Sequence, residues 1–129
     1  MIDITNIILT RLRDELDGVL VVSNYQSNAP KFPIVTVEEL SNSVYTRTRD
    51  SGGNHHSSIG YMIDIYTKGN GRVSQSKRIR NEIDKLISEE FGLIRVSTNV
   101  VPNFLDESIY RYRINYDGVI SNDMIIYRG

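Results

Sequence analysis

Apolar residues near the start of the chain recur with the spacing of one helical face. They are Ile4, Ile7, Ile8, Leu12 and Leu16. Asp3 or Thr5 is a suitable N-cap for such a helix, and Gly18 follows the last apolar position. The pattern therefore predicts a helix over residues 3–16, with one side turned towards a core.

A second helical stripe lies further along the chain. It consists of Ile79, Ile83, Leu86 and Ile87. Ser74 is a suitable N-cap here, and Gly92 is a suitable C-terminal stop. We therefore predict a second helix over residues 73–91.

The other apolar runs are short, rich in β-branched residues or alternating, which is typical of strands. The predicted strands cover residues 19–22, 34–40, 44–49, 59–67, 93–101, 109–117 and 124–128. Asp117 and Gly118 form a dipeptide that favours a tight turn, although Asn122 and Asp123 offer a competing turn. Along residues 110–116, tyrosines and Ile114 are predicted to share one face of the strand, with arginines on the other.

These elements predict an α+β fold, in which two helices pack on one face of a mostly antiparallel sheet. The polar, glycine-rich segment 50–58 is flanked by predicted strands, so we expect a long projecting hairpin with a mobile loop at about residues 45–58. A chain of 129 residues is the size of one domain, which we assign to residues 1–129.

Composition narrows the function classes. The formal net charge of -1 argues against nucleic-acid binding by a uniformly basic domain. The chain has no cysteine, which excludes disulfides, thiolate nucleophiles and cysteine metal sites. No window approaches eighteen consecutive apolar residues, so we predict no membrane span and no membrane partner.

Three groups of residues invite a chemical interpretation, and in each a simpler one is favoured. Adjacent histidines, as at His55 and His56, point to opposite sides of an extended chain, so we expect solvated loop residues. The Gly69-Asn70-Gly71 segment lacks the complete phosphate-binding motifs, so we expect a glycine turn before the second helix.

Asp64 raises the possibility of a metal-dependent nuclease. Two-metal catalysis needs clustered carboxylates, and the other candidates, Glu38, Glu39 and Lys68, form no recognisable ligand set with it. We therefore expect Asp64 to be a polar residue on the outer face of its strand. The sequence predicts no catalytic residues, no metal site and no cofactor.

Paired arginines are more informative. Arg47 and Arg49 precede the predicted loop, and Arg111 and Arg113 share one strand face. They can contact DNA phosphates or carboxylates across a subunit interface, and the net charge favours the interface. The candidate residues for a subunit interface or a DNA-lined lumen are Tyr45, Arg47, Arg49, His55, His56, Arg111 and Arg113.

The order of these segments resembles a known family. An N-terminal helix is followed by FPIVTVEELSN, a variable polar loop, YMIDIYTKG, a helix with IRNEIDKLI, and FGLIRVSTNVVPNFLDESIYRYRINYDGVI. This order is similar to the tail terminator proteins of long-tailed bacteriophages, which are also called tail completion or head–tail joining proteins. The resemblance covers residues 32–127, and its most specific piece is the Pro102-Asn103 turn that leads to Ile109-Tyr110-Arg111-Tyr112.

The resemblance implies a structural role without catalysis. Members of the family form a homo-oligomeric ring, usually a hexamer, at the head-proximal end of the tail tube. The ring ends tube polymerisation and docks the head connector or stopper protein, and DNA passes through its lumen. The implied locations are the virion neck and, during assembly, the host cytoplasm. The alternatives are a connector of the adaptor or stopper type, a small metal-dependent phage nuclease, and a binding module unrelated to phages.

Overall fold

The architecture is given by a computed structural model, which describes residues 4–23, 32–44, 56–102, 108–121 and 126–127. Along the chain, helix α1 (Thr5–Glu15) is followed by three strands, helix α2 (Arg72–Glu90) and three further strands. The strands are β1 (Leu20–Val22), β2 (Ile34–Val44), β3 (His56–Lys68), β4 (Ile94–Val101), β5 (Ile109–Ser121) and β6 (Ile126–Tyr127).

All six described strands belong to one sheet. Its order is β1-β2-β3-β5-β4, and β6 pairs with β5 beyond the end of β4. Only the pairing of β1 with β2 is parallel. The long strands β3 and β5 pair at every position from His56 with Ser121 to Lys68 with Ile109. The predicted α+β class with a mostly antiparallel sheet is therefore confirmed.

Both helices bury their apolar stripes in a core on one face of the sheet. The stripe of α1 contributes Ile8 and Leu12, and the stripe of α2 contributes Ile79, Ile83 and Ile87. Ile7, which was predicted to lie in the stripe of α1, is instead 46% exposed, because it faces away from the sheet. Alternate residues of β3 meet the two stripes from the sheet, since successive side chains of a strand point to opposite faces. These β3 residues are Ile59, Tyr61, Ile63 and Ile65. The predicted packing of both helices against the sheet is thus confirmed.

A smaller apolar cluster lies on the opposite face, which we call the open face. Ile34, Tyr66 and Ile109 form its buried centre, and Leu20, Val22 and Phe32 pack against it. Because β3 has buried residues on both faces, it is the central strand of the domain.

The predicted N-caps of the two helices are wrong. Ile4 occupies the N-cap position of α1 and makes no side-chain capping bond. Helix α2 begins at Arg72 with Gly71 as its N-cap, rather than at Ser74. Gly69 and Gly71 have positive φ angles, 89° and 76°, so the predicted glycine turn is confirmed. The turn delivers the chain directly into the helix, which leaves Ser74 inside its first turn.

The predicted turn at Asp117 and Gly118 is also wrong, because β5 continues through both residues to Ser121. Gly118 faces Leu93 so closely that an added Cβ would collide with the leucine side chain. The glycine therefore serves a close packing contact, and it lacks the positive φ angle of a turn glycine.

The predicted hairpin is described only in part. Strand β2 does not end at residue 40, as predicted, but continues to Val44, with a register shift between Glu39 and Ser41. Strand β3 begins at His56, so residues 56–58 of the predicted loop are strand instead. Residues 45–55 lie outside the described residues, and their projection as a mobile loop stays a prediction.

Candidate functional site

The open face carries a cluster of one acid and two arginines, which we call the arginine cluster: Asp64, Arg111 and Arg113. The register of the sheet brings them together, since Arg113 lies opposite Asp64 and Arg111 is the next residue but one. Arg111 donates from Nε to Asp64 Oδ2 at 3.0 Å, and Arg113 donates from Nε to Oδ1 at 2.9 Å. Each arginine also donates through Nη2 to Oδ2. Both carboxylate oxygens are therefore occupied.

Asp64 is buried, with 1% of its surface exposed. A lone carboxylate at such a position is costly, and here two guanidinium groups replace its lost hydration. Asp64 lies on the outer face of its strand, as predicted. It is not exposed, however, because the arginine side chains from β5 fold over its carboxylate. Alternation along the sequence predicts that Arg111 and Arg113 share one strand face, but it does not indicate that Asp64 lies beneath them.

The cluster has a formal net charge of +1. The hydrogen bond to Asp64 raises the pKa of Arg113 above its ordinary value, and nearby Tyr66 and Glu38 act in the same direction. The guanidinium of Arg111 also stacks over the Tyr66 ring at 5.1 Å. About a quarter of each arginine side chain is exposed. Such partly exposed, fixed guanidinium groups are suited to contacting a carboxylate or phosphate of a partner.

The second feature is β4, which forms an edge of the sheet. Each residue from Ile94 to Val100 is exposed. The exposed fractions of its large apolar side chains are 57% for Ile94, 58% for Val96 and 52% for Val100. Arg95 is its only charged residue, and it contains no lysine or proline. Charged residues, especially lysine, and proline are the residues that usually keep an edge strand from pairing with another chain.

Polar contacts fix β4 to the rest of the domain near its start. Arg95 lies 3.5 Å from Asp84 of α2, which also accepts a hydrogen bond of 2.9 Å from Tyr116 Oη. Burial, together with this bond, raises the pKa of Tyr116 well above its ordinary value. Asn115 Nδ2 donates to Ser97 Oγ at 2.9 Å across the β5–β4 pair. The exposed edge is therefore held in place by contacts with α2 and β5.

A third polar group joins the two helices. Arg11 of α1 donates to both oxygens of Glu90 in α2, at 2.8 and 2.6 Å, and to Glu15 at 3.1 Å. The hydrogen bonds from Arg11 lower the pKa of Glu90. This exposed contact sets the spacing of the helices on the face opposite the arginine cluster.

Of the seven residues named from the sequence, the structure brings Arg111 and Arg113 together. His56 is the first residue of β3, opposite Ser121. Tyr45, Arg47, Arg49 and His55 lie outside the described residues. Among the residues that are described, no three histidine, cysteine or acidic side chains are grouped as metal ligands.

The sequence analysis did not single out the exposed edge. The alternation along residues 93–101 predicts a strand with one buried face. A signal was nevertheless present, because IRVSTNVV has large apolar residues at irregular intervals among serine, threonine and asparagine.

Comparison of the chain with protein-family models and with curated protein sequences finds no match. In the part of the chain that the structure describes, no helix has the length and apolar character needed to cross a membrane.

Proposed function

We propose that this chain is a structural protein of the phage neck, which forms a ring at the head-proximal end of the tail tube. In this role the ring ends tube polymerisation and joins the tail to the head connector. The proposal rests on the edge strand β4, which has eight residues, is exposed on both faces and carries three exposed large apolar side chains. A soluble domain seldom leaves such an edge uncovered unless another chain pairs with it.

The architecture supports the proposal at a coarser level. The resemblance implies helices on one face of a sheet, and this chain has that arrangement. Many unrelated functions share such architectures, so the fold supports the function only together with the exposed edge. The proposed partners are copies of the chain, the tail tube protein and the head connector, with DNA passing through the lumen.

The position of Asp64 bears on the nuclease alternative. A metal-binding carboxylate must direct its oxygens towards the ion, whereas Asp64 accepts hydrogen bonds from two arginines on both oxygens. The bonding of Asp64 therefore supports a structural role for this residue over the role of a metal ligand. The nuclease alternative is tested with plasmid DNA and Mg²⁺ or Mn²⁺: cleavage that disappears in Asp64→Ala would favour the enzyme.

The proposal is tested by deleting the gene from the phage that encodes this chain. We expect free heads together with tubes of uncontrolled length, because nothing ends tube growth. Expression of the chain from a plasmid is the control and should restore joined particles. Tails of normal length that fail to join heads would favour the connector alternative. Normal infectious particles would refute a role in the neck altogether.

The location is tested separately by imaging particles that carry an epitope tag on this chain. We expect one ring of label where the tail meets the head. Absence of the chain from virions would contradict the proposal.

A further inference from the structure

We propose that β4 of one copy pairs antiparallel with the outer edge of β2 in the next copy, so that a continuous sheet joins the subunits head to tail. This inference rests on the proposed ring function and specifies the surface that forms the ring. It follows from two sheet edges, their directions and their charges.

Strand β2 presents the second edge. Strand β1 covers its outer side only at Ile34, Val35 and Thr36. From residue 37 to residue 44, no described strand pairs with that side of β2. This uncovered part of β2 is as long as β4, which has eight residues. Within the described residues, the sheet therefore has two unpaired edges of matching length on opposite sides.

The directions of these strands favour pairing between neighbouring copies. Strands β2 and β5 run the same way, since both are antiparallel to β3, and β4 runs the opposite way. When two copies stand side by side with their sheets in the same orientation, β4 of one meets β2 of the next as an antiparallel pair. Antiparallel pairing is the slightly more stable kind.

The charged residues of the two edges disfavour pairing of like edges. Strand β4 carries Arg95 and no acidic residue, whereas β2 carries Glu38 and Glu39 and no basic residue. Antiparallel pairing of two β2 edges can bring Glu38 and Glu39 of both copies together, whereas β4 places no acidic residue opposite them. Such self-pairing would also close a two-fold dimer, whereas β4 with β2 is a heterologous contact that can close a ring.

Apolar burial adds to the pairing. Leu40 in β2 is 55% exposed, and Ile94, Val96 and Val100 in β4 are exposed to a similar extent. A neighbouring strand would cover part of these side chains while its backbone satisfies the hydrogen-bonding groups of the edge.

Two constraints define the register. Strand β1 covers β2 as far as Thr36, so an incoming β4 can extend only to the residues beyond it. The two faces of the sheet must also continue from copy to copy. Glu38 lies opposite Met62, and Val101 lies opposite Arg111, so both point towards the open face. Of the registers that satisfy both constraints, the one with the longest overlap places Val101 opposite Glu38 of the next copy.

Single-cysteine variants test this contact, and the chain has no native cysteine to interfere. Val101→Cys and Glu38→Cys are purified separately, mixed in equal amounts and oxidised. Directly opposed residues of antiparallel strands have Cα atoms about 4.5–5.5 Å apart, which is within reach of a disulfide. Intact mass spectrometry should find the mixed dimer several-fold above each homodimer. Val101→Cys mixed with Thr10→Cys, on the exposed side of α1, is the control and should give background.

The double variant Val101→Cys/Glu38→Cys should give a ladder of oligomers that ends at the ring size. Homodimers of Val101→Cys that match the mixed dimer would overturn the inference in favour of a two-fold contact. Rings seen by electron microscopy without the mixed cross-link would overturn it and leave the neck function standing. A chain that stays monomeric without cross-links also overturns it, and the deletion phenotype then decides the neck function independently.

Discussion

At the scale of single residues, Asp64 organises the open face of the sheet. It is buried, and the two arginines above it are held in place by bonds to its oxygens. The acid is therefore both a structural residue and the positioning element for guanidinium groups that a partner can reach. These two roles predict different consequences of its removal.

Asp64→Asn should lower the free energy of unfolding by about 2 kcal/mol. Removing one member of a buried ion pair costs more than this when its partner is also buried, but here the arginines can turn towards water. Urea denaturation measures the change. Asp14→Asn, which removes an exposed acid 3.7 Å from Arg11, is the control and should change stability by less than about 0.5 kcal/mol. Equal effects of the two substitutions would contradict this account of the cluster.

Tyr116 makes stability dependent on alkaline pH. The pKa of its phenol is raised above the ordinary 10.0 by burial and by the bond to Asp84. The folded state therefore favours the protonated phenol, and this contribution is complete below pH 10 and is lost as the pH rises further. The loss approaches about 1.4 kcal/mol per pH unit for one proton.

Tyr116→Phe should therefore lose stability less steeply than the parent chain above pH 10. At neutral pH the variant should be less stable by about 1 kcal/mol, because one hydrogen bond is lost. Denaturation curves between pH 7 and 12 measure both effects, and the range below pH 9 is an internal control. Parallel curves above pH 10 would show that another group governs the alkaline transition.

At the scale of the elements, Gly118 permits the close approach of β5 and the residue before β4. Gly118→Ala should destabilise the fold by about 1 to 3 kcal/mol, since the new methyl group would overlap the buried side chain of Leu93. Asp117→Ala, at the exposed neighbouring position, should have an effect within about 0.5 kcal/mol. Thermal or urea denaturation measures both.

A double-mutant cycle separates this explanation from general strand propensity. In a Leu93→Ala background there is space for the new methyl group. Gly118→Ala should therefore lower the free energy of unfolding much less than it does in the parent chain. If the two substitutions lowered the free energy of unfolding additively, the glycine would be needed for a reason other than its contact with Leu93.

The elements also show what could be predicted from the sequence. Helical stripes located both helices to within a few residues, because burial of Ile8, Leu12, Ile79 and Ile83 follows directly from spacing. The residues at which the helices and strands begin and end were less predictable than the positions of the helices. The Asp-Gly dipeptide resembles a turn locally, and only the tertiary contact with Leu93 explains why the strand continues.

At the scale of the whole molecule, the exposed edge should control association between copies. Val96→Glu/Val100→Glu puts two charges on β4 that repel the acidic edge of β2. We expect association to weaken by more than about tenfold. Ile7→Glu/Val73→Glu, which adds the same charges at exposed apolar positions of the helices, is the matched control. Sedimentation across a concentration series measures the difference, and equal weakening by both variants would contradict the assignment of the interface to β4.

The candidate site was less predictable than the fold. The strand face shared by Arg111 and Arg113 followed from alternation, but their partner Asp64 is 47 positions from Arg111 in the chain. That contact depends on strand order, which the sequence pattern does not specify. The same holds for β4: its exposure results from its place outside β5, because α1 lies over β1 and β2 and α2 lies chiefly over β3 and β5.

The pairing of β3 with β5 has a consequence for how the chain is made. Their partners are far apart in sequence, from Lys68 with Ile109 to His56 with Ser121, and such non-local pairing slows folding to the millisecond-to-second range. The ribosome adds roughly 5 to 20 residues per second, so several seconds pass between the synthesis of β3 and the synthesis of β5. During this time the edge of β3 that pairs with β5 has no partner. During that interval the nascent polypeptide exposes a strand with buried residues on both of its faces, so its yield should depend on chaperones and on growth temperature more than its final stability would indicate.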